Sequence, residues 1–448
     1  MRKATTSRLA LALLLGGTMA AAHAQVAQGP PVGGRPAPEE EAGDAAARQA
    51  PDGLDGLRSV RDALIAAADF IAAKSPALDV VESQDDGAVR PDDLARLGRI
   101  HAELGEFEDA ELRYLQAIES VARAEGEFSL TLVDLYRALG RSYIRNAQYP
   151  EAIVALEQAQ HITQRNLGLF AVEQSGLLDD MTTAYLGAGN TVDARRVQIE
   201  RLDNALRRFG ENDLRVVPYR FELASYFQRS RLQGSAREQY EEVLRLESSQ
   251  LGELHPDLMS PLRELVRIDL ATTQGEDEEL RERLATLLAS TTAGDPLERA
   301  MSYAVLGDWA IVKKDTAAAA GFYARAWEAV EAGGEVDPAD VFDSPVMIDF
   351  VAPLSAVDRG ARSDPYAWGE IVLTFDVAAD GRPANVRVAG GEAAPDTGGR
   401  YAPGSLVDRY VRRVRETNFR PRLVDGVPVA TENVEFTHYF RYYVDPDD

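Results

Sequence analysis

Leu97–Ile118 reads LGRIHAELGEFEDAELRYLQAI, Leu139–Gln160 reads LGRSYIRNAQYPEAIVALEQAQ, and Leu306–Trp327 reads LGDWAIVKKDTAAAAGFYARAW. Each stretch opens on a small anchor (Gly98, Gly140, Gly307), with a second anchor three positions on (His101, Tyr143, Ala310). An alanine follows after twelve residues (Ala110, Ala152, Ala319) and another small residue after nineteen (Ala117, Ala159, Ala326). Tyr114 and Tyr323 fill the large position between the alanines in the first and last copies. Stepping 42 residues from Gly140 reaches Thr182, with Tyr185 and Ala194, and then Ala224, with Phe227, Ala236 and Tyr240. A further 42 reaches Val266, the most degenerate copy, and 41 more reach Gly307. A fixed period sustained in this way is the signature of a repeat array, each unit burying its apolar face on its neighbours. Six copies therefore lie between Asp92 and Val330.

These anchors resemble the tetratricopeptide repeat (TPR), a helix–turn–helix unit of about 34 residues. The period here is about eight residues longer, or about two helical turns. With LGELHPDL (Leu251–Leu258) between copies, the array is similar to the kinesin-light-chain type. The resemblance implies a mainly α protein with a TPR α-solenoid of about six helix pairs. It also implies a groove lined by the first helix of each pair, at the position after the small anchor and the position three before it. In that frame Arg99 lines the first copy, Arg137, Arg141 and Arg145 the second, and Phe221, Ser225, Gln228 and Arg229 the fourth. Guanidinium forks suit carboxylates, so one reading is a groove that grips an acidic or carboxylate-terminated peptide. The other is that these arginines pair with neighbouring Glu and Asp.

At 448 residues the chain is long enough for two or three domains. A formal net charge of −25 and a pI near 4.7 argue against nucleic acid and anionic membrane surfaces, since phosphate binding needs a basic footprint. Positive charge comes from 44 arginines and 4 lysines, a bias read first as codon composition. The N-terminus carries Arg2, Lys3 and Arg8, an apolar run from Leu9 to Ala22, and Ala22-His23-Ala24 before Gln25. Basic start, short apolar core and A-x-A-like end predict a signal peptide over 1–24. The apolar run is 14 residues, short of the roughly 20 that span a bilayer. An uncleaved anchor is the alternative, and without one membrane contact comes only through partners. Cysteine is absent, so disulfides and a lipid-modified N-terminal cysteine are excluded. These features predict the periplasm of a Gram-negative bacterium.

Residues 25–53 are rich in Pro, Gly, Ala and acid and read as a disordered tether. Residues 54–90 follow as an N-terminal capping helix, with apolar positions at Leu57, Val60, Leu64, Ile65, Ala68 and Ile71. The array occupies 91–332. Proline and acid mark helix starts at Pro91-Asp92, Pro150-Glu151, Pro256-Asp257 and Asp295-Pro296. Glycines 105, 189 and 275 mark joints. Residues 333–360, with three prolines after Asp337, suit a linker or the lead-in of the next domain.

The last domain, 361–448, has a different texture. Gly369–Val377 and Ala384–Ala389 alternate apolar and polar residues around Asp380-Gly381, predicting a hairpin. Ser405–Phe419 predicts a helix with Leu406, Val407, Tyr410, Val411 and Val414 on one face, Ser405 and Asp408 having capping-box spacing. Phe419-Arg420-Pro421 ends it, and Val427–Val444 supplies further strand. Strand, strand, helix, strand, with Phe419-x-Pro421 and Gly426-Val427-Pro428, resembles the C-terminal domain of the TonB energy-transducer family. The resemblance implies a small α+β fold, an antiparallel sheet packed on one helix, whose edge can accept a short strand from an outer-membrane protein. The chain departs from that family in its N-terminus, a cleavable signal and a helical array in place of a membrane anchor and spacer.

No enzyme is read from the sequence. The five histidines (23, 101, 161, 255, 438) are scattered and show no zinc-site spacing, and there is no cysteine nucleophile, no G-x-S-x-G elbow and no phosphate loop. No cofactor is expected. His101 reads as a packing residue and His255 as a cap or joint. Arg409, Arg412, Arg413 and Arg415, with Arg420 and Arg422, form a candidate basic face; from Ala361 on there are 11 basic and 14 acidic residues, net −3. The sequence thus reads as a non-enzymatic adaptor, the groove holding one protein and the last domain recruiting another by strand addition. The alternative is a component of TonB-dependent outer-membrane transport.

Overall fold

The structure, a computed structural model, describes residues 53–85, 89–353, 366–390 and 403–443. The expected signal peptide, the tether up to residue 52 and residues 354–360 of the expected linker lie outside them. The protein is mainly α, with a small antiparallel sheet region near its C-terminus. Among the described residues no helix is long and apolar enough to cross a membrane. Those up to Tyr219 form one compact unit and those from Arg220 another.

The first unit is made of helix pairs: α1 (Leu54–Ala66) with α2 (Phe70–Glu82), α3 (Pro91–Leu104) with α4 (Phe107–Glu125), α5 (Thr131–Arg145) with α6 (Tyr149–Leu167), and α7 (Ser175–Gly187) with α8 (Thr191–Phe209). The small anchors act by contact. A Cβ on Gly98 would lie 3.2 Å from the Tyr114 ring, and one on Gly140 2.7 Å from Leu156. The first helix thus offers a seat for the large residue of the second, and the fully buried Ala110 and Ala152 let the two close. At Thr182 the seat is polar instead, accepting a hydrogen bond from Gln198 Nε2 at 2.9 Å.

The stretch expected as a single capping helix is two helices. The chain turns at Ala68, which holds φ +57°, and Asp69 caps α2 by accepting from the Ala72 N–H at 3.0 Å. Counted from that turn, Arg61 stands where the second copy has Gly140, and Ala77 where it has Leu156. Large and small have changed places across the pair. Arg61 is 1% exposed, and its Nη1 donates to Asp93 Oδ1 at 2.7 Å; Arg58 donates to the same carboxylate at 2.6 Å. Burial raises the Asp93 pKa, but the hydrogen bonds from Arg58 and Arg61 outweigh it and leave it below the usual value.

The second unit continues with α9 (Val217–Arg229, entering from residue 217) and α10 (Gln233–Leu251), α11 (Met259–Thr273) and α12 (Glu278–Ser290), and α13 (Pro296–Val312) and α14 (Thr316–Gly333). The period of 42 is explained at the ends of the second helices. α4, α6, α8 and α10 are each 19 residues, about 28 Å of helix. They stop at Gly126, Gly168, Gly210 and Gly252, with φ of 94°, 96°, 90° and 94° and ψ of 162°, 162°, 155° and 157°. Only glycine enters that backbone region at low cost. Short 3-10 turns at Val172–Gln174, Leu214–Val216 and Pro256–Leu258 then lead into the next pair. Pro256-Asp257 therefore opens such a turn, with α11 starting at Met259. In the degenerate fifth copy the second helix, α12, has only 13 residues.

Beyond α14 the chain folds back onto the last helix pair. α15 (Pro338–Phe342) and β1 (Val346–Met347) occupy part of the stretch read as a linker. β2 (Tyr366–Val377) and β3 (Pro383–Gly390) form the expected hairpin, and α16 runs from Pro403 to Glu416. α16 starts two residues before Ser405, so Ser405 lies inside the helix and the expected capping box is not its start. Phe419–Arg420 is a strand, β4, which pairs with β1; β5 (Arg422–Val424) pairs with β6 (Val427–Val429). β7 (Thr431–Tyr443) joins β2 in a sheet of order β3-β2-β7. Leu406, Tyr410 and Val414 of α16 pack with Ile371, Leu373, Phe375, Phe419 and Phe440.

Four contacts fix this module to α13 and α14. Arg420 Nε and Nη2 donate to Asp308 Oδ1 and Oδ2 at 2.8 and 2.5 Å, and the Tyr323 hydroxyl donates to Oδ1 at 3.0 Å. Burial, then Asp308, push the Tyr323 pKa well above its usual value, so the phenol stays protonated and donates. A Cβ on Gly381, in the hairpin turn, would meet Phe419 O at 2.2 Å and Ile311 Cγ2 at 2.9 Å. Gly426, in the other Asp-Gly turn, lies against Ala324 and Trp327. Leu423 is buried with Ala300, Ile311, Tyr323 and Phe342.

Two consequences can be measured. Asp308→Ala leaves Arg420 buried without its partner and is expected to cost about 3–5 kcal/mol, whereas replacing Asp308 by Leu and Arg420 by Met together restores most of it. Tryptophan fluorescence during urea unfolding, which reports on Trp309 and Trp327, checks both. Glu247 of α10 is 7% exposed with one carboxylate oxygen unpartnered, and burial, then Asp257, push its pKa up to about 7. The folded chain holds this proton to higher pH than the unfolded one, so stability falls as pH rises from about 4.5 to about 7 and stays reduced above it. Glu247→Gln is expected to raise the melting temperature at pH 8, by an effect of about 2–3 kcal/mol, and to change little at pH 4.5.

Candidate functional site

Arg99, Arg141 and Arg145 share one charge environment with Glu103, centred on Tyr114. The Gly98 seat holds the Tyr114 ring, 3% exposed, and burial pushes its phenol up to about 12. Arg99, Arg141 and Arg145 pull that value down and Glu103 pushes it up, so all four side chains act on one buried hydroxyl.

The four arginines are not equivalent. Arg137 is engaged: its Nε donates to Asp180 Oδ2 at 2.5 Å and its Nη2 to the Gly176 carbonyl at 2.9 Å. Arg145 lies 2.8 Å from Glu103, and Arg141 is 65% exposed with only a 3.9 Å approach to Asp180. Arg99 is exposed, its guanidinium 5.8 Å from the Phe70 ring centroid. Both readings of these arginines therefore have a place: Arg137 pairs with acid, while Arg99 and Arg141 remain open to solvent.

In the second unit most of the same frame positions are closed, Arg229 being the exception. Phe221 packs edge-on against Tyr240 at 5.0 Å, and Ser225 and Gln228 bond the Tyr240 hydroxyl at 3.2 and 3.1 Å. The position three before Val266 is Arg263 and the one after it Arg267; both bond Glu264, to which Gln228 also donates at 3.2 Å, and Arg263 bonds Glu298 as well. Burial disfavours the Glu264 carboxylate, but Arg267 and Arg263 hold its pKa below the usual value. In the last copy the position after Gly307 is Asp308, taken by Arg420. Arg229 is exposed. The sequence frame located these positions but carried no signal that Glu264, Glu298 and Arg420 would fill them.

The candidate basic face is divided. Arg412 and Arg415 are exposed and Arg409 and Arg413 half-buried. Arg413 donates to the Asp349 carbonyl at 2.6 Å and Arg415 reaches the Val386 carbonyl at 3.4 Å, Arg420 is buried, and Arg422 lies 3.6 Å from Asp343. Much of the face fastens the module to itself. β7, by contrast, pairs with β2 on one side, and its other edge meets no strand among the described residues. Phe436, His438 and Phe440 turn inward, while Glu435, Thr437 and Tyr439 are exposed.

His101 is buried, as its packing position implies. Its Nδ1 lies 2.6 Å from Glu106 Oε2 and 4.0 Å from Asp109, a set that could ligate a cation. Lys74 Nζ already supplies positive charge there, at 2.7 and 2.8 Å from the two Glu106 oxygens, and Lys74 first, then His101, hold the Glu106 pKa low. This group clamps α2 to the α3–α4 joint. His255 caps the 3-10 turn at Pro256, its Nδ1 accepting from the Asp257 N–H at 3.4 Å.

No protein-family model matches the chain, and no curated protein does. Solved structures do. The chain is similar to a putative kinesin light chain of Podosopora anserina with nearly identical TPR-like repeats, at 20% identity and TM-score 0.37, over 46% of this chain and 98% of that one. It is similar to the C-terminal part of a TPR repeat-containing protein from Cytophaga hutchinsonii at 14% identity and TM-score 0.41, over 61% and 98%. It is also similar to Pseudomonas aeruginosa pilF at 17% identity and TM-score 0.34, over 55% and 94%.

Proposed function

We propose that the chain is a non-enzymatic protein–protein interaction adaptor that works in the periplasm. Its helix pairs hold an acidic or carboxylate-terminated peptide, and its C-terminal module recruits a second protein at the β7 edge. The observation that carries the first half is the exposure of Arg99 and Arg141 at the expected groove positions, with Arg145 beside Glu103, in one charge environment around Tyr114. In an acidic chain such a group attracts carboxylates, and hydrogen bonds to charged groups contribute about 1.5–3 kcal/mol each. The second half rests on the length of β7 and on its edge away from β2, which meets no strand among the described residues, since added strands bind through backbone hydrogen bonds. The TonB-like resemblance of the module would suit an outer-membrane partner. The buried Arg420–Asp308 pair favours an adaptor over an energy transducer, because it ties the module to the helix pair beside it.

Fluorescence anisotropy of a labelled peptide ending in Glu-Asp-Asp with a free carboxylate tests the groove. Binding is expected to weaken at least tenfold when the terminus is amidated and to vanish in the variant Arg99→Glu, Arg141→Glu, Arg145→Glu. Equal binding of the amide, or an unaffected variant whose melting temperature matches the parent, overturns the reading. Arg137→Glu is expected to lower stability more than binding, because its partners are Asp180 and Gly176 of the chain itself.

A further inference from the structure

The loops joining successive helix pairs in the first unit expose large apolar side chains. Phe128 and Leu130 follow α4, and Leu167, Leu169 and Phe170 lie at and after the end of α6; Leu169 is 60% and Phe170 48% exposed. Clustered exposure of this kind marks interaction surfaces. The two clusters are copies of one arrangement, since Phe128 and Phe170 are 42 residues apart and so are Arg165 and Arg207. The Arg165 guanidinium lies 3.7 Å from the Phe128 ring centroid, and that of Arg207 4.2 Å from the Phe170 centroid. Each phenylalanine borders an open depression. The one at Phe128 is about 540 Å³, lined also by Leu132, Tyr136 and His161; the one at Phe170 is about 430 Å³, lined also by Leu169, Val172 and Arg208.

Charge separates these arginines from others of the same unit. Arg123, Arg201 and Arg215 each pair with a carboxylate. Arg165, Arg207 and Arg208 have no carboxylate within 4.0 Å among the described residues, in a chain with a net charge of −25. A guanidinium stacked on a ring keeps its charge and its outward N–H groups. Glu127 and Glu173 border the same depressions, so the surface is mixed and not uniformly basic.

We propose that this loop edge, distinct from the arginine groove, docks an acidic and apolar segment of another protein. Its aliphatic or aromatic side chains enter the depressions at Phe128 and Phe170, and its carboxylates meet Arg165, Arg207 and Arg208.

The probe is a fluorescein-labelled twelve-residue peptide of Leu, Phe and Glu, compared with one in which Lys replaces Glu, both titrated with the full chain carrying Arg99→Glu, Arg141→Glu and Arg145→Glu to silence the groove. The Glu peptide is expected to bind, more weakly as salt rises from 50 to 200 mM, and the Lys peptide at least tenfold more weakly. Phe170→Ala, and Arg207→Ala with Arg208→Ala, are each expected to raise Kd at least tenfold. These side chains are exposed, and an unchanged melting temperature shows the fold intact; Leu169→Glu, at a position 60% exposed, is a second variant expected to do the same. Equal binding of both peptides overturns the proposal, as does no binding of the Glu peptide by the groove-silenced chain, or Kd unchanged in the edge variants. Concentration-dependent sedimentation of the parent chain that Phe170→Glu abolishes would instead make the edge an interface between two copies and would likewise overturn it.

Discussion

A fully buried ion pair decides how the second unit is put together. Removing a carboxylate and a guanidinium from water costs several kcal/mol per ion. That cost is met only because both Asp308 oxygens are engaged by Arg420 and Tyr323 adds a third hydrogen bond. The pair sits where α13, α14 and β4 meet, so none of the three can shift without stranding a charge. Gly381 and Gly426 support the same contact by approaching so closely that a side chain would not fit. The two Asp-Gly turns therefore close their hairpins and also seat the module on the helices.

Much of this was legible in the sequence. The anchors Gly98, Gly140 and Gly307 predicted helix pairs because a missing Cβ beside a large partner leaves a pattern that repeats. The hairpin and the apolar face of α16 followed from alternation and helical spacing. What escaped notice had physical causes. The pair α1–α2 keeps the turn geometry of a repeat but swaps the large and small residues, placing Arg61 in the glycine's position, and the distant Asp93, with the adjacent Asp62, makes that tolerable. Glycines 126, 168, 210 and 252 did carry a local signal, a second series with the same period as the anchors, and it marks the ends of the long helices. The Phe419-Arg420-Pro421 stretch was read as the end of a helix, yet Arg420 takes its meaning from Asp308, 112 residues away, which no local pattern could supply.

The same contrast governs the candidate site. A repeat frame states which positions face a groove, not what else reaches them. In the first unit those positions carry Arg99 and Arg141 in the open. In the second they carry Phe221, Arg263 and Asp308, each consumed by a partner from within the unit.

The glycine that ends each long helix has one more implication. It sets a single exit direction for the chain, and the next seat, turn and stacked arginine all depend on that direction. Inserting or removing a few residues within a copy would turn Arg207 away from Phe170 and shift the anchor off its partner together. Such an array can change its length only in whole units of the period, and its binding surfaces grow or shrink in the same discrete steps.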